Sequence, residues 1–191
     1  SPWTLPDGTA VSTDDGPRAG TSYDKISQLK PVFRPDGTIT AGNACPLNDG
    51  AAAVVVMSDA KAKELGLTPL ARIVATGVSG LSPEIMGLGP IEAVRKALGY
   101  AKMSVSDIDL FEINEAFAVQ VLGSARELGI DEDKLNVSGG AIALGHPFGM
   151  TGARITATLL NNLATHDKTF GIETMCVGGG QGMAMVIERL S

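Results

Sequence analysis

Three short stretches of the 191-residue chain hold side chains able to do chemistry. In Cys176-Val177-Gly178-Gly179-Gly180, a thiol at the end of an apolar run is followed by glycine backbone. The thiol could exchange a proton while free backbone N–H groups stabilise a developing oxyanion. A buried structural cysteine would leave the same trace. In Gly139-Gly140-Ala141-Ile142-Ala143-Leu144-Gly145-His146-Pro147, a histidine has glycines ahead of it and a proline behind it. Imidazole, with an ordinary pKa near ~6.5, can serve as base, acid or hydrogen-bond donor. Pro147 disfavours helical backbone at His146 and holds it in a turn. A solvent-exposed loop histidine reads the same way. Asn114-Glu115-Ala116-Phe117 lies where a strand runs into a helix. Sites in α/β sheets lie beyond the carboxyl ends of strands, yet an asparagine there is also a good N-cap. His166 sits in a polar patch, Thr165-His166-Asp167-Lys168, and is read as surface.

The elements that must position these residues follow from periodicity. Residues 70–78 (LARIVATGV) form a strand pattern rich in β-branched side chains. Residues 90–98 place Ile91, Val94 and Leu98 on one helical face. Residues 109–113 (DLFEI) read as a strand. A helix capped by Asn114 then runs to about Leu128, with Phe117, Val121, Ala125 and Leu128 on one side. Residues 135–137 make a short strand, and Thr151 opens a helix to about Ala164. Residues 170–177 and 183–190 are strands joined by the glycine-rich residues 178–182, which predicts an antiparallel pair. The order β-α-β-α-β-α-β-β predicts an α/β fold with a mostly parallel or mixed sheet covered by helices. Upstream, residues 51–57 (AAAVVVM) read as a buried strand, and Ser58 caps a helix over 59–65 that Gly66 ends. Residues 1–42 are loop-like, broken by Pro2, Pro6, Pro17, Pro31 and Pro35, with room only for a short helix over 23–29.

Composition excludes several classes. Lys plus Arg number 15 against 21 Asp plus Glu, giving a net charge of −6, which argues against a nucleic-acid partner. The longest apolar run, 51–57, is too short to span a membrane. No basic segment followed by an apolar one opens the chain, so no signal peptide is visible. Two cysteines cannot make a disulfide framework, and two histidines without a CxxC pair speak against a structural metal site. A soluble protein of a reducing compartment, taken as cytoplasmic, is the expectation. Aromatics are only 4%, so the core must come from Ala, Val, Ile, Leu and Met. The 24 glycines exceed the usual share of ~7% and cluster at 139–152 and 178–182, where backbone must come close to something.

Taken together, NEAF, then GGAIALGHPxGxTGAR, then CxGGGxG resemble the thiolases, the acetyl-CoA acyltransferases that cleave or form 3-ketoacyl-CoA. Residues 42–52 and 86–90 also resemble thiolase segments, and the likeness covers about residues 28–190. The resemblance implies two similar α/β halves in an αβαβα layering, with a loop domain inserted in the first half. On that reading residues 1–42 are part of the loop domain, 43–69 the last strand and helix of the N-terminal half, and 70–191 the C-terminal domain. The family's nucleophilic cysteine belongs to the N-terminal half. Neither Cys45 nor Cys176 matches it.

Carried over by position, Cys176 resembles the family's general acid/base, acting at the α-carbon of acetyl-CoA. Its pKa is expected to be lowered by neighbouring amide dipoles. His146 resembles the histidine that activates the nucleophile and lines an oxyanion hole. Asn114 resembles the residue that holds a water completing that hole. The Gly178 N–H resembles a donor to a second oxyanion hole. Met86, Ala116 and Phe117 resemble pocket residues around the pantetheine and acyl group. Cys45 falls where a biosynthetic thiolase usually has a serine bonded to the pantetheine arm, and it is a poorer donor. That departure points toward a degradative thiolase with a different acyl range. Coenzyme A enters as substrate, with no cofactor or metal. The implied partners are the N-terminal half of the same enzyme, acyl-CoA, and further copies in a homodimer or homotetramer. Ketoacyl synthases of the same fold use a pair of histidines, which the single GHP histidine with CxGGG does not match. A non-catalytic thiolase-like protein binding CoA or a lipid is the other reading.

Overall fold

Small and β-branched residues at strand spacing build the sheet, and apolar helical stripes cover both of its faces. The structure is a computed structural model that describes residues 2–191. The chain opens with a two-stranded hairpin, β1 (Trp3–Thr4) with β2 (Ala10–Val11), followed by a single helical turn, α1 (Tyr23–Ile26). This turn is shorter than the helix expected over 23–29. Helix α2 (Asp59–Glu64) is capped by the Ser58 hydroxyl, as expected. Then come β3 (Ala71–Gly80), a 3₁₀ segment (Pro83–Leu88), α3 (Gly89–Ala101), β4 (Leu110–Ile113) and α4 (Ala118–Leu128). The short α5 (Ala141–Leu144), α6 (Thr151–Thr165), β5 (Phe170–Val177) and β6 (Gln181–Arg189) complete the chain.

The sheet order is β3-β6-β5-β4, with β6 antiparallel to both neighbours and β4 parallel to β5. It is therefore mixed, and its last two strands form the expected antiparallel pair. One face packs Phe111, Ile113, Ile172 and Val186 against Val94, Ala97 and Leu98 of α3 and Val121 of α4. The other packs Leu110 and Ile187 against Leu159 and Leu163 of α6. Burying each such side chain is worth roughly 1.5–3 kcal/mol. Phe111 is the largest fully buried side chain, and the rest of that set is mostly Ile, Leu and Val. No helix of the described residues is long and apolar enough to cross a membrane.

Three local expectations fail. Residues 51–57 form no strand, and Val54, Val55 and Val56 are 43%, 85% and 69% exposed. A strand needs a neighbouring edge to take its N–H and C=O groups, and no described residue offers one here. Residues 135–137 shrink to a single bridge between Leu135 and Phe111, because Asn136 turns to φ 46°. The Asn136 side chain replaces the ladder: its Oδ1 accepts from Ile113 N (2.8 Å) and its Nδ2 donates to Ile113 O (2.9 Å). Asn114 does not cap α4. That helix starts at Ala118, whose N–H donates to the Asn43 carbonyl at 2.9 Å.

Candidate active site

The site lies at the carboxyl ends of the two parallel strands. Asn114, one residue past β4, donates its N–H to Thr174 O at 2.9 Å. Cys176 stands two residues further along β5, buried and opposite Gly182 of β6. Beyond it, Gly178-Gly179-Gly180 turn the chain into β6, with Gly179 and Gly180 at φ +86° and +90°. Side chains are strained in that region, so glycine is needed for the turn. Gly178 is exposed, and its carbonyl accepts from Gln181 Nε2 at 3.2 Å.

Asn114 is freed from capping to do something else. Its side chain is fully buried, 0% exposed. Nδ2 lies 3.3 Å from His146 Nε2 and 3.5 Å from Nδ1. Oδ1 accepts from Arg154 Nη2 at 3.2 Å. A guanidinium can only donate, so the amide oxygen must face Arg154 and the amide nitrogen must face the imidazole.

His146 is half-buried, with its own backbone N–H bonded to Pro46 O at 3.2 Å. Its Nδ1 lies 2.6 Å from Thr151 Oγ1, and that hydroxyl donates to Pro147 O at 3.0 Å. With the hydroxyl proton engaged there, we assign the imidazole proton to Nδ1. Nε2 then keeps its lone pair, and Asn114 Nδ2 lies beside the ring, nearly equidistant from its two nitrogens and off the axis of that lone pair. Burial, and after it the positive Arg154, push the His146 pKa below its ordinary value. The imidazole is neutral at neutral pH. His166, by contrast, is exposed at the end of α6.

Two devices hold the histidine loop. The Glu115 carboxylate accepts from Asn136 Nδ2 and from Ile142 N, each at 3.1 Å. It fills the space beside Gly140, where a Cβ would lie 2.5 Å from the carboxyl carbon. The second device is a strap over residues 43–50. Asn43 O accepts from Ala118 N (2.9 Å), Cys45 N donates to Ala116 O (3.1 Å), and Pro46 O takes the His146 N–H. Asn48 lies over Gly145, and Gly50 packs on Pro147 and Met150. The strap thus joins the turn after β4 to the histidine loop. It also brings together Cys45, Ala116 and Phe117, with Phe117 meeting Phe33 edge-on at 6.1 Å. Met86 stands apart in the 3₁₀ segment, whose Gly87 packs on Gln120 of α4. Among the described residues no hydrogen bond joins Cys176 to Asn114 or His146.

Burial decides the electrostatics. It raises the Cys176 thiol above its ordinary pKa, outweighing the backbone hydrogen bond that lowers it. This corrects the expectation of a lowered value. Burial also raises Cys45. Glu112 on β4 and Glu173 on β5 are register partners, both buried. Burial pushes Glu112 up to about 7 even though Arg154 opposes the rise. Burial and the neighbouring Glu112 push Glu173 up to about 8. Neither glutamate stood out in the sequence, and Thr151 and Arg154 appeared within the motif GGAIALGHPxGxTGAR, with no role in the site given to either. The available signal was a lone glutamate inside each of the apolar runs DLFEI and GIETM.

A mixed sheet with helices on both faces, a neutral imidazole backed by a buried amide, and a protonated thiol define an α/β protein equipped for proton transfer and oxygen stabilisation. Family models agree in sequence: "Thiolase, C-terminal domain" matches residues 67–189 and "Thiolase, N-terminal domain" matches residues 2–60. The chain belongs to the thiolase family. It is 53% identical over 180 residues to an acetyl-CoA acetyltransferase of Escherichia coli, covering 94% of this chain and 46% of that protein. It is 51% identical over 177 residues to a 3-ketoacyl-CoA thiolase of Bacillus subtilis, covering 93% and 45%. Among solved structures, the Bacillus anthracis acetyl-CoA acetyltransferase superposes with a TM-score of 0.94 at 50% identity, over 100% of this chain and 49% of that one. Human mitochondrial 3-ketoacyl-CoA thiolase in complex with CoA gives 0.90 at 44% identity, over 99% and 48%. The chain spans about half the length of these relatives.

Proposed function

We propose that this chain supplies the acid/base and oxyanion-binding half of a thiolase. The reaction is thiolytic cleavage of a 3-ketoacyl-CoA to acetyl-CoA and a shortened acyl-CoA, or the reverse Claisen condensation. The observation that carries this reading is the Asn114 amide nitrogen held against His146 at the carboxyl edge of the sheet, with Cys176 at the end of the adjacent parallel strand.

In cleavage, a cysteine thiolate from the N-terminal half attacks the C3 carbonyl of the substrate. The C2–C3 bond breaks, and the electron pair passes to C2 as the enolate of acetyl-CoA. His146, carrying at Nε2 the proton taken from the nucleophile, and a water held by Asn114 bind the thioester oxygen, on which the enolate charge collects. Cys176 gives its proton to C2, and its raised pKa keeps that proton on sulfur until it is needed. The free thiol of CoA then attacks the acyl-cysteine, whose tetrahedral oxygen meets the Gly178 N–H in the exposed turn. His146, neutral with an available Nε2, takes the proton of the nucleophile in the first half and returns it when that cysteine departs, while the Cys176 thiolate recovers its proton from CoA. Condensation reverses these steps, with Cys176 removing the proton from C2 as a base.

Met86, Ala116, Phe117 and Cys45 are assigned to the pantetheine and acyl pocket, the last three supported by their grouping under the strap. Residues 1–42 belong to the loop domain, 43–69 to the N-terminal half and 70–191 to the C-terminal domain. Acyl-CoA is the substrate, and the complete enzyme is a homodimer or homotetramer. Free thiols at Cys45 and Cys176 fit a cytoplasmic location.

The test is to assay acetoacetyl-CoA thiolysis with this chain alone and with the chain joined to a thiolase N-terminal half. Activity is expected only from the joined protein. Activity from the chain alone overturns the reading.

A further inference from the structure

We propose that Arg154 is a positioning residue that sets which face of the Asn114 amide points into the oxyanion hole, with Glu112 as its anchor. The inference rests on the reading of His146, with a water held by Asn114, as the groups that bind the thioester oxygen.

Glu112 and Asn114 are two residues apart along one strand direction, so both project to the side of the sheet that α6 covers. Arg154, in the first turns of α6, reaches both with separate nitrogens. Nη1 donates to Glu112 Oε1 at 3.0 Å and Nη2 to Asn114 Oδ1 at 3.2 Å. Its side chain is only 14% exposed, so the fork is held away from solvent. A carboxamide is nearly symmetric in shape. Packing alone discriminates poorly between its two orientations, and hydrogen bonding must decide. With Arg154 present, the flipped amide would set two donors face to face. It would also turn an acceptor toward the imidazole of His146. With Arg154 absent, only the contact with the His146 ring, whose own protonation can adapt to either face, bears on the flip. The site would then lose its amide donor, and the flipped oxygen would favour a protonated imidazole.

Glu112 has a separate task. A long side chain with no buried partner extends toward water. Glu112 Oε1 keeps the guanidinium in the site, while its Oε2 has no hydrogen-bond partner among the described residues. The charged and titratable groups around the network are Glu112 on β4, Glu115 after it, Glu173 and Cys176 on β5, His146 in the loop and Arg154 itself. Of these, Arg154 lowers the His146 pKa directly. Its removal therefore acts on the histidine twice, through the lost charge and through the freed amide.

The experiment uses the complete enzyme with acetoacetyl-CoA and CoA. R154M is expected to lower kcat on the order of 10²-fold while KM moves less than about threefold. The limb of the pH–rate profile that needs neutral His146 shifts to higher pH. R154K, which can reach one partner but not fork to both, gives an intermediate kcat and keeps the test open if R154M does not fold. In an N114A background, R154M adds little, because the group it positions is gone. Two outcomes overturn the inference: an unshifted pH limb in a folded Arg154 variant, or full additivity with N114A. Failure of the underlying reading shows separately, as absence of thiolysis in the unsubstituted enzyme.

Discussion

Glu112 and Glu173 sit directly opposite one another on parallel strands, two buried carboxylates with one guanidinium, Arg154, to serve them. Arg154 bonds to Glu112, and among the described residues Glu173 has no charged hydrogen-bond partner. Both carboxyls are raised, Glu112 to about 7 and Glu173 to about 8. The folded state therefore holds protons that the unfolded chain releases near pH ~4.5. Stability from this pair is present below that pH and is lost as pH rises toward 8.

Glu173→Gln should abolish most of that loss. The variant gains on the native enzyme as pH rises from about 5 to 8, reaching on the order of 1–3 kcal/mol. Urea melts of the complete enzyme at several pH values check this. A stability difference that does not vary with pH would contradict the assignment of the proton to this pair.

Cys176→Ser should separate the two halves of the reaction. Acylation of the nucleophile by acetyl-CoA, which moves no proton to or from carbon, stays within a few-fold of native, while the proton transfer at C2 falls by about 10²–10⁴-fold. Stopped-flow acylation set beside steady-state condensation measures both. Equal losses in the two would remove Cys176 from the acid/base role.

Thr151→Val tests the tautomer. Without the hydroxyl, Nδ1–H has no partner, and the imidazole is free to carry its proton on either nitrogen. We expect a fall in kcat of about tenfold and a mixed tautomer in nitrogen NMR of His146, with Thr151→Ser restoring both. A single Nδ1–H tautomer in Thr151→Val would show that something else orients the ring.

Gly140→Ala should disturb the histidine loop through Glu115. The added methyl meets the carboxylate that bonds Asn136 and Ile142, at a predicted cost of ~1–3 kcal/mol. Thermal unfolding reports the cost. Glu115→Ala in the same background makes room for the methyl, so a double variant no better than the single one would count against this account.

Much of the architecture could be read from local pattern. The periodicity of residues 90–98 and 170–177 marked a helix and a strand that the structure contains. The glycine turn before β6 predicted the antiparallel pair. What misled was any feature whose partner is distant in sequence. An asparagine ahead of a helix has the local chemistry of a cap, and it is His146, 32 residues on, and Arg154, 40 residues on, that engage the Asn114 side chain instead. Residues 51–57 have the composition of a buried strand, but burial requires an adjacent edge. The Cys176 pKa turned on burial, which no run of glycines reveals.

The strap over residues 43–50 has a practical consequence. It lies within the stretch that matches the N-terminal family model, yet it grips the histidine loop and the turn after β4. The seam between the two matched regions, near residues 60–67, is thus an unsuitable crossover point for exchanging domains between relatives. A chimera joined there would dress one parent's GHP loop with the other parent's strap. Moving the junction upstream of Asn43 keeps the loop and its fastening in one inheritance.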